Sequence, residues 1–140
     1  MISGERGLGK TDLARCFAEK CTQKDCRRSD LNFSNVIFTS YSQQGLKETI
    51  TLLKCVGESG EKESFEQKIN LLKHMEKPTL LIIDNYDNED RFREELSEES
   101  GVYRILCDTG CHILITSKIN MVNCYGLYQT KLRHFSSEVL

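Results

Sequence analysis

The sequence predicts an α/β fold with a mostly parallel sheet. Leu80-Leu81-Ile82-Ile83 and Ile113-Leu114-Ile115 are apolar at every position, as strands covered on both faces are. Segments with apolar residues at helical spacing alternate with such strands, which is the pattern of parallel α/β units. Glycine at 4, 7 and 9 directly precedes the first helical segment, so a wide loop opens that helix.

Taken in order, Ile2 and Ser3 leave room for only a stub of a first strand. Lys10 to Cys21 reads as a helix with Leu13, Phe17, Ala18 and Cys21 on its apolar stripe. A polar stretch runs from Thr22 to Asn35, and Val36-Ile37-Phe38-Thr39 is a short buried strand. Leu46 to Val56 is helical, with Leu46, Ile50, Leu53 and Val56 facing inward, and Glu58 to Glu61 is a turn. Ser64 to Lys77 is the next helix, burying Phe65, Ile69, Leu72 and Met75; Pro78, the only proline, bars its continuation. Thr79 to Asp84 is the clearest strand. The acidic stretch Asn85 to Ser100 includes helix around Arg91 to Leu96, and Val102 to Cys107 extends helix. His112 to Thr116 is a further buried strand, and Tyr125 to Leu132 an edge strand.

A length of 140 residues suits one domain with one modest core. With 39% apolar and 29% charged residues, the chain belongs with folded rather than disordered sequences. A net charge of -2 lacks the basic face of a general nucleic-acid binder, so no direct nucleic-acid partner is expected. No apolar run approaches the roughly 20 residues of a membrane helix, and Met1 leads straight into the glycine loop without a signal segment. Seven cysteines, an odd number, fit free thiols in a reducing cytoplasm. Cys16, Cys21 and Cys26 do not share a helical face. Cys107, Cys111 and His112 lie close in sequence but lack a second ligand pair to complete a zinc site, so small buried thiols are the expected reading.

Three motifs carry chemistry. Gly4-Glu5-Arg6-Gly7-Leu8-Gly9-Lys10-Thr11 matches G-x-x-x-x-G-K-[ST]. Glycines let the backbone N–H groups of Gly4, Gly7, Leu8 and Gly9 wrap phosphates, and the helix that follows adds its positive end. Lys10 then reaches the β- and γ-phosphates, and the Thr11 hydroxyl binds Mg²⁺. The second motif is Leu80 to Asp84: a carboxylate at the carboxyl end of a buried parallel strand sits at the ligand crevice, where Asp84 is expected to complete the Mg²⁺ shell. The third is Ile113-Leu114-Ile115-Thr116-Ser117-Lys118, whose polar and basic triplet closes another strand at the same edge. Lys118 is the expected sensor of the γ-phosphate, with a solvated strand-end lysine as the plain alternative. Gly9, Asp84 and Ser117 are therefore expected to meet.

These three motifs and their spacing resemble the NB-ARC branch of the STAND (AP-ATPase type) P-loop NTPases, and Val36 to Gln43 is similar to that family's second strand and turn. The resemblance implies a three-layer sandwich and an ADP/ATP switch with Mg²⁺, in which ADP holds the closed state and ATP opens it for assembly through flanking domains. It also marks departures. The first strand is shortened. Asn85 stands where members often carry a second acidic residue, and an amide cannot take a proton as a carboxylate does; Asp87 lies two residues on. Lys118 replaces the usual sensor arginine, giving a point charge instead of a planar fork. The sequence reaches Leu140 without the family's helical lid, so residues 1–140 are expected to form a partial nucleotide-binding domain with slow or no hydrolysis. A second reading stays open: a small P-loop kinase transferring the ATP γ-phosphoryl to a small acceptor, with Arg91, Arg93 and Arg104 as lid candidates.

Overall fold

The computed structural model describes residues 1–22, 32–54, 62–96, 101–120 and 127–133. In chain order the elements are β1 (Ile2–Ser3), α1 (Lys10–Thr22), β2 (Asn35–Ser40), α2 (Leu46–Thr51), α3 (Phe65–His74), β3 (Thr79–Asp84), α4 (Glu89–Glu95), α5 (Gly101–Cys107), β4 (His112–Ser117) and β5 (Thr130–Lys131). The five strands form one sheet in the order β2-β3-β4-β1-β5, and every pairing is parallel. The strands around Val36, Leu80 and Ile113 lie side by side, as their apolar runs predict.

Alternation along the strands splits the core in two. Leu80 and Ile82 face α1, packing with Ile2, Ala14, Cys21 and Phe33. Leu81, Ile83, Ile37 and Ile115 point the other way, against Leu46 and Ile50 of α2, Ile69 and Leu72 of α3, Phe92 of α4 and Leu106 of α5. All six residues of β3 are buried, which is why its sequence shows no polar alternation until Asp84.

Several boundaries and faces differ from the sequence expectation. Leu13 is 44% exposed; the line α1 turns to the sheet runs through Ala14 and Cys21, with Phe17 and Ala18 half-buried. Helix α2 ends at Thr51 because the Leu53 N–H closes back on the Ile50 carbonyl at 3.2 Å, tightening the last turn. Val56 and the expected turn at Glu58 to Glu61 lie outside the described residues. Helix α3 starts at Phe65, after Ser64 as its N-cap, at a capping box in which Ser64 and Gln67 each accept the other's backbone N–H, a reciprocal device that satisfies two orphan donors. It stops at His74, short of Lys77. The Leu72 carbonyl is taken by the Lys77 ammonium at 2.7 Å, and the Glu76 carbonyl by Asn35 Nδ2 and Thr79 Oγ1, both at 2.8 Å. The expected edge strand pairs only at Thr130 and Lys131, since its neighbour β1 offers two residues; Tyr125 lies outside the described residues. Cys21 is buried, Cys111 half-buried, and Cys16 and Cys107 are exposed. Among the described residues, no three His, Cys, Asp or Glu side chains gather as a metal-ligand set, and no helix is long and apolar enough to cross a membrane.

Candidate functional site

Parallel pairing brings the carboxyl ends of β1, β4 and β3 to one edge. Ser3 registers with Ser117, and Ser40 of β2 with Asp84. The glycine loop leaves β1 at that edge and turns into α1. Gly4 has φ 150° and is pressed so closely that an added Cβ would sit 2.9 Å from the Leu132 carbonyl oxygen. Its N–H donates to the Ser117 carbonyl at 3.2 Å, which ties the start of the loop to β4. Gly9 has φ 77°, a left-handed conformation that costs glycine little, and its carbonyl accepts the Leu13 N–H at 2.9 Å to start α1.

Lys10 lies folded across this loop. Its ammonium donates to the Gly4 and Glu5 carbonyls, both at 2.7 Å, and only 9% of the residue is exposed. Backbone N–H groups, the positive end of the 13-residue helix α1 and this ammonium make one electropositive rim, the arrangement that suits a phosphate chain.

Across the rim sits Asp84. The Thr11 hydroxyl lies 2.9 Å and 3.0 Å from its two carboxylate oxygens. Thr116 Oγ1 donates to Asp84 Oδ1 at 2.5 Å, and Asn85 Nδ2 reaches Oδ2 at 3.3 Å. Asp84 is 3% exposed, and among the described residues its partners are these neutral donors. Together with the Thr11 hydroxyl the Asp84 carboxylate forms a hard-oxygen donor pair that fits Mg²⁺. Gly9, Asp84 and Ser117 thus share one edge, as the motifs require.

The segment after Asp84 is a tightly held bridge between β3 and β4. Asn85 has φ 59°, a conformation asparagine tolerates better than most residues, and its N–H donates to Thr116 Oγ1 at 3.0 Å. Tyr86 gives its N–H to the Thr116 carbonyl at 2.9 Å, and its own carbonyl accepts Ser117 Oγ at 2.5 Å. Asp87 Oδ1 accepts the Lys118 N–H at 2.7 Å. Lys118 itself is exposed at the end of β4, beside the carboxyl edge but with its side chain turned to solvent.

A buried polar knot behind this bridge has no counterpart in the sequence reading. The rings of Tyr41 and Tyr86 stack at 3.8 Å, and Phe92 meets Tyr86 edge-on at 5.0 Å. Both phenols donate to Glu95 Oε2, Tyr41 at 2.9 Å, while Glu95 Oε1 accepts the Leu46 N–H at 3.0 Å. Burial and the Glu95 carboxylate push the Tyr41 phenol up to about 12 and the Tyr86 phenol higher still. Arg91 donates to the Gln44 carbonyl at 2.9 Å and stands 3.7 Å from Glu95, and Arg93 pairs with Glu89 at 2.9 Å. Two of the three arginines considered for a kinase lid are therefore engaged along α4.

The family model described as the NACHT domain matches residues 1–137. NACHT domains are STAND-class P-loop NTPases, related to the NB-ARC branch whose motifs the sequence resembles. No curated protein matches the chain.

Proposed function

The chain belongs to the NACHT family of STAND-class, nucleotide-binding P-loop NTPase domains, and from that premise we propose that it is an ADP/ATP switch module with slow or no hydrolysis. One observation carries the reading: the Thr11 hydroxyl and the Asp84 carboxylate meet at 2.9 Å on the lip of the glycine loop. Gly7, Leu8 and Gly9 would supply backbone N–H groups to the phosphates, Gly4 anchors the start of the loop through its N–H on the Ser117 carbonyl, and Lys10 would supply the fixed charge. Thr11 and Asp84 would hold Mg²⁺, which offsets phosphate charge when bound. Lys118, exposed just past the end of β4, is the proposed sensor of the γ-phosphate.

Slow turnover follows from the residues beside Asp84. Asn85 is an amide that donates toward Asp84, so it cannot accept a proton from an attacking water. Asp87 Oδ1 is occupied by the Lys118 N–H, which supports a structural role for that carboxylate. Whether bound nucleotide is ADP or ATP then registers at the bridge from Asn85 to Asp87, and the switch passes through it to α4. A steady-state assay with saturating Mg²⁺ and ATP is expected to give turnover far below the enzyme median of about 10 s⁻¹. Turnover at that median, or phosphoryl transfer to a small acceptor, would overturn the switch reading in favour of an enzyme.

A further inference from the structure

We infer that Thr116 is the positioning residue for Asp84, fixing which carboxylate oxygen is presented to Mg²⁺. The inference rests on the nucleotide-binding reading above. It starts from a donor count. A threonine hydroxyl has one proton and two lone pairs. The Asn85 N–H points at Thr116 Oγ1 from 3.0 Å and claims a lone pair. The proton is then directed to the other near neighbour, Asp84 Oδ1 at 2.5 Å. Thr116 is fully buried, so no water competes for either role, and the hydroxyl is held in one orientation.

The effect on Asp84 is asymmetric. Oδ1 accepts from Thr116 at 2.5 Å and shares the single Thr11 proton, whose oxygen lies 2.9 Å away, with Oδ2. Oδ2 has only Thr11 at 3.0 Å and the longer Asn85 amide contact at 3.3 Å. Oδ2 is the less saturated oxygen and keeps lone-pair density for a cation. Without the Thr116 hydroxyl the carboxylate is held only by the Thr11 and Asn85 contacts, and the Asn85 N–H loses its side-chain acceptor. Thr116 lies at the end of β4, between β3 and β1 in the sheet, so strand order places it where one hydroxyl reaches both Asp84 and the residue after it. Groups that orient a metal ligand commonly contribute ten- to a hundredfold to metal affinity.

The test titrates MgCl₂ into the protein with ATP at fixed concentration, following the melting temperature, with the nucleotide-free melt as a separate readout. Thr116→Val keeps the shape and removes the hydroxyl; it is expected to raise the half-saturating Mg²⁺ concentration by about tenfold or more. Thr116→Ser restores the donor and is expected to bring that value back near wild type. In an Asp84→Asn background, Thr116→Val is expected to change the Mg²⁺ response no further, because its effect passes through the carboxylate. If Thr116→Val does not melt cooperatively, Thr116→Cys, similar in size and a weaker donor, is read in its place and is expected to raise the half-point. A wild-type Mg²⁺ half-point in the Val or Cys variant, or an equal shift in the Asp84→Asn background, overturns the inference. Wild-type protein that shows no Mg²⁺-dependent response to ATP overturns the nucleotide-binding reading and this inference with it.

Discussion

Tyr86→Phe isolates one hydrogen bond in the knot behind the site. The substitution keeps the ring that stacks on Tyr41 and meets Phe92, so packing is conserved and only the phenolic donor to Glu95 is lost. Glu95 keeps the Tyr41 phenol at 2.9 Å and the Leu46 N–H at 3.0 Å, so no carboxylate is stranded. A hydrogen bond to a charged acceptor contributes about 1.5–3 kcal/mol; with the remaining partners in place, a loss of about 2 kcal/mol is expected. For a domain of this size that lowers the melting temperature by roughly 6–10 °C. Thermal and urea denaturation followed by circular dichroism measure it, with an unchanged m-value as the sign that the transition is the same. In a Glu95→Gln background the acceptor is neutral, and the same change should cost only about 1 kcal/mol. A Tyr86→Phe protein that melts with the wild type would refute the claim that this carboxylate knot holds the bridge after β3.

Two further predictions come from the same region. The Tyr41 phenol titrates at about 12 in the folded chain against 10.0 unfolded, and Tyr86 is shifted the same way; the unfolded chain therefore releases these protons first. Their contribution is complete below pH 10 and declines as pH rises through the folded values, by about 1.4 kcal/mol per pH unit for each phenol; a pH series of urea melts should show this decline, and the Tyr86→Phe protein a shallower one. Gly45 has φ 117°, and a Cβ there would lie 2.5 Å from Glu95 Oε1 and 2.7 Å from Arg91 Nη1. Gly45→Ala is expected to cost about 2 kcal/mol, since a residue forced into a sparsely populated conformation costs about 1–3 kcal/mol; equal stability by urea denaturation would show that the loop relaxes without disturbing Glu95.

Local chemistry made the sheet and the loop legible in the sequence. Strands β3 and β4 are covered on both faces, so continuous apolar runs marked them, and the glycine spacing located the turn into α1. Asp84 and Thr11 could be paired because each ends or opens an element whose place in a parallel sheet is fixed by topology. Leu13 was misplaced because periodicity gives a face without saying which side of it the sheet touches. The short α2 and α3 ends depend on partners distant in sequence, such as Asn35 for the Glu76 carbonyl. The Tyr41–Tyr86–Glu95 knot was invisible for the same reason: Tyr41 and Glu95 meet only after β2, β3 and α4 assemble. Thr116 was visible as a polar residue closing an apolar strand, but only the position of β4 next to β3 turns it toward Asp84.

The central claim is that the loop and Asp84 form a working Mg²⁺-nucleotide site, and the most direct measurement is the melting temperature with and without MgATP or MgADP in wild type and Lys10→Ala. A ligand that binds only the folded state at 100 times its dissociation constant stabilises by about 2.7 kcal/mol, a shift of the order of 10 °C for this size of domain. Lys10 opens α1 with its ammonium on the Gly4 and Glu5 carbonyls, and alanine is a good helix former. The variant is therefore expected to fold, and to lose most of the nucleotide shift. A wild-type chain that melts at the same temperature with and without millimolar nucleotide, or a Lys10→Ala chain that shifts as much as wild type, would contradict the account.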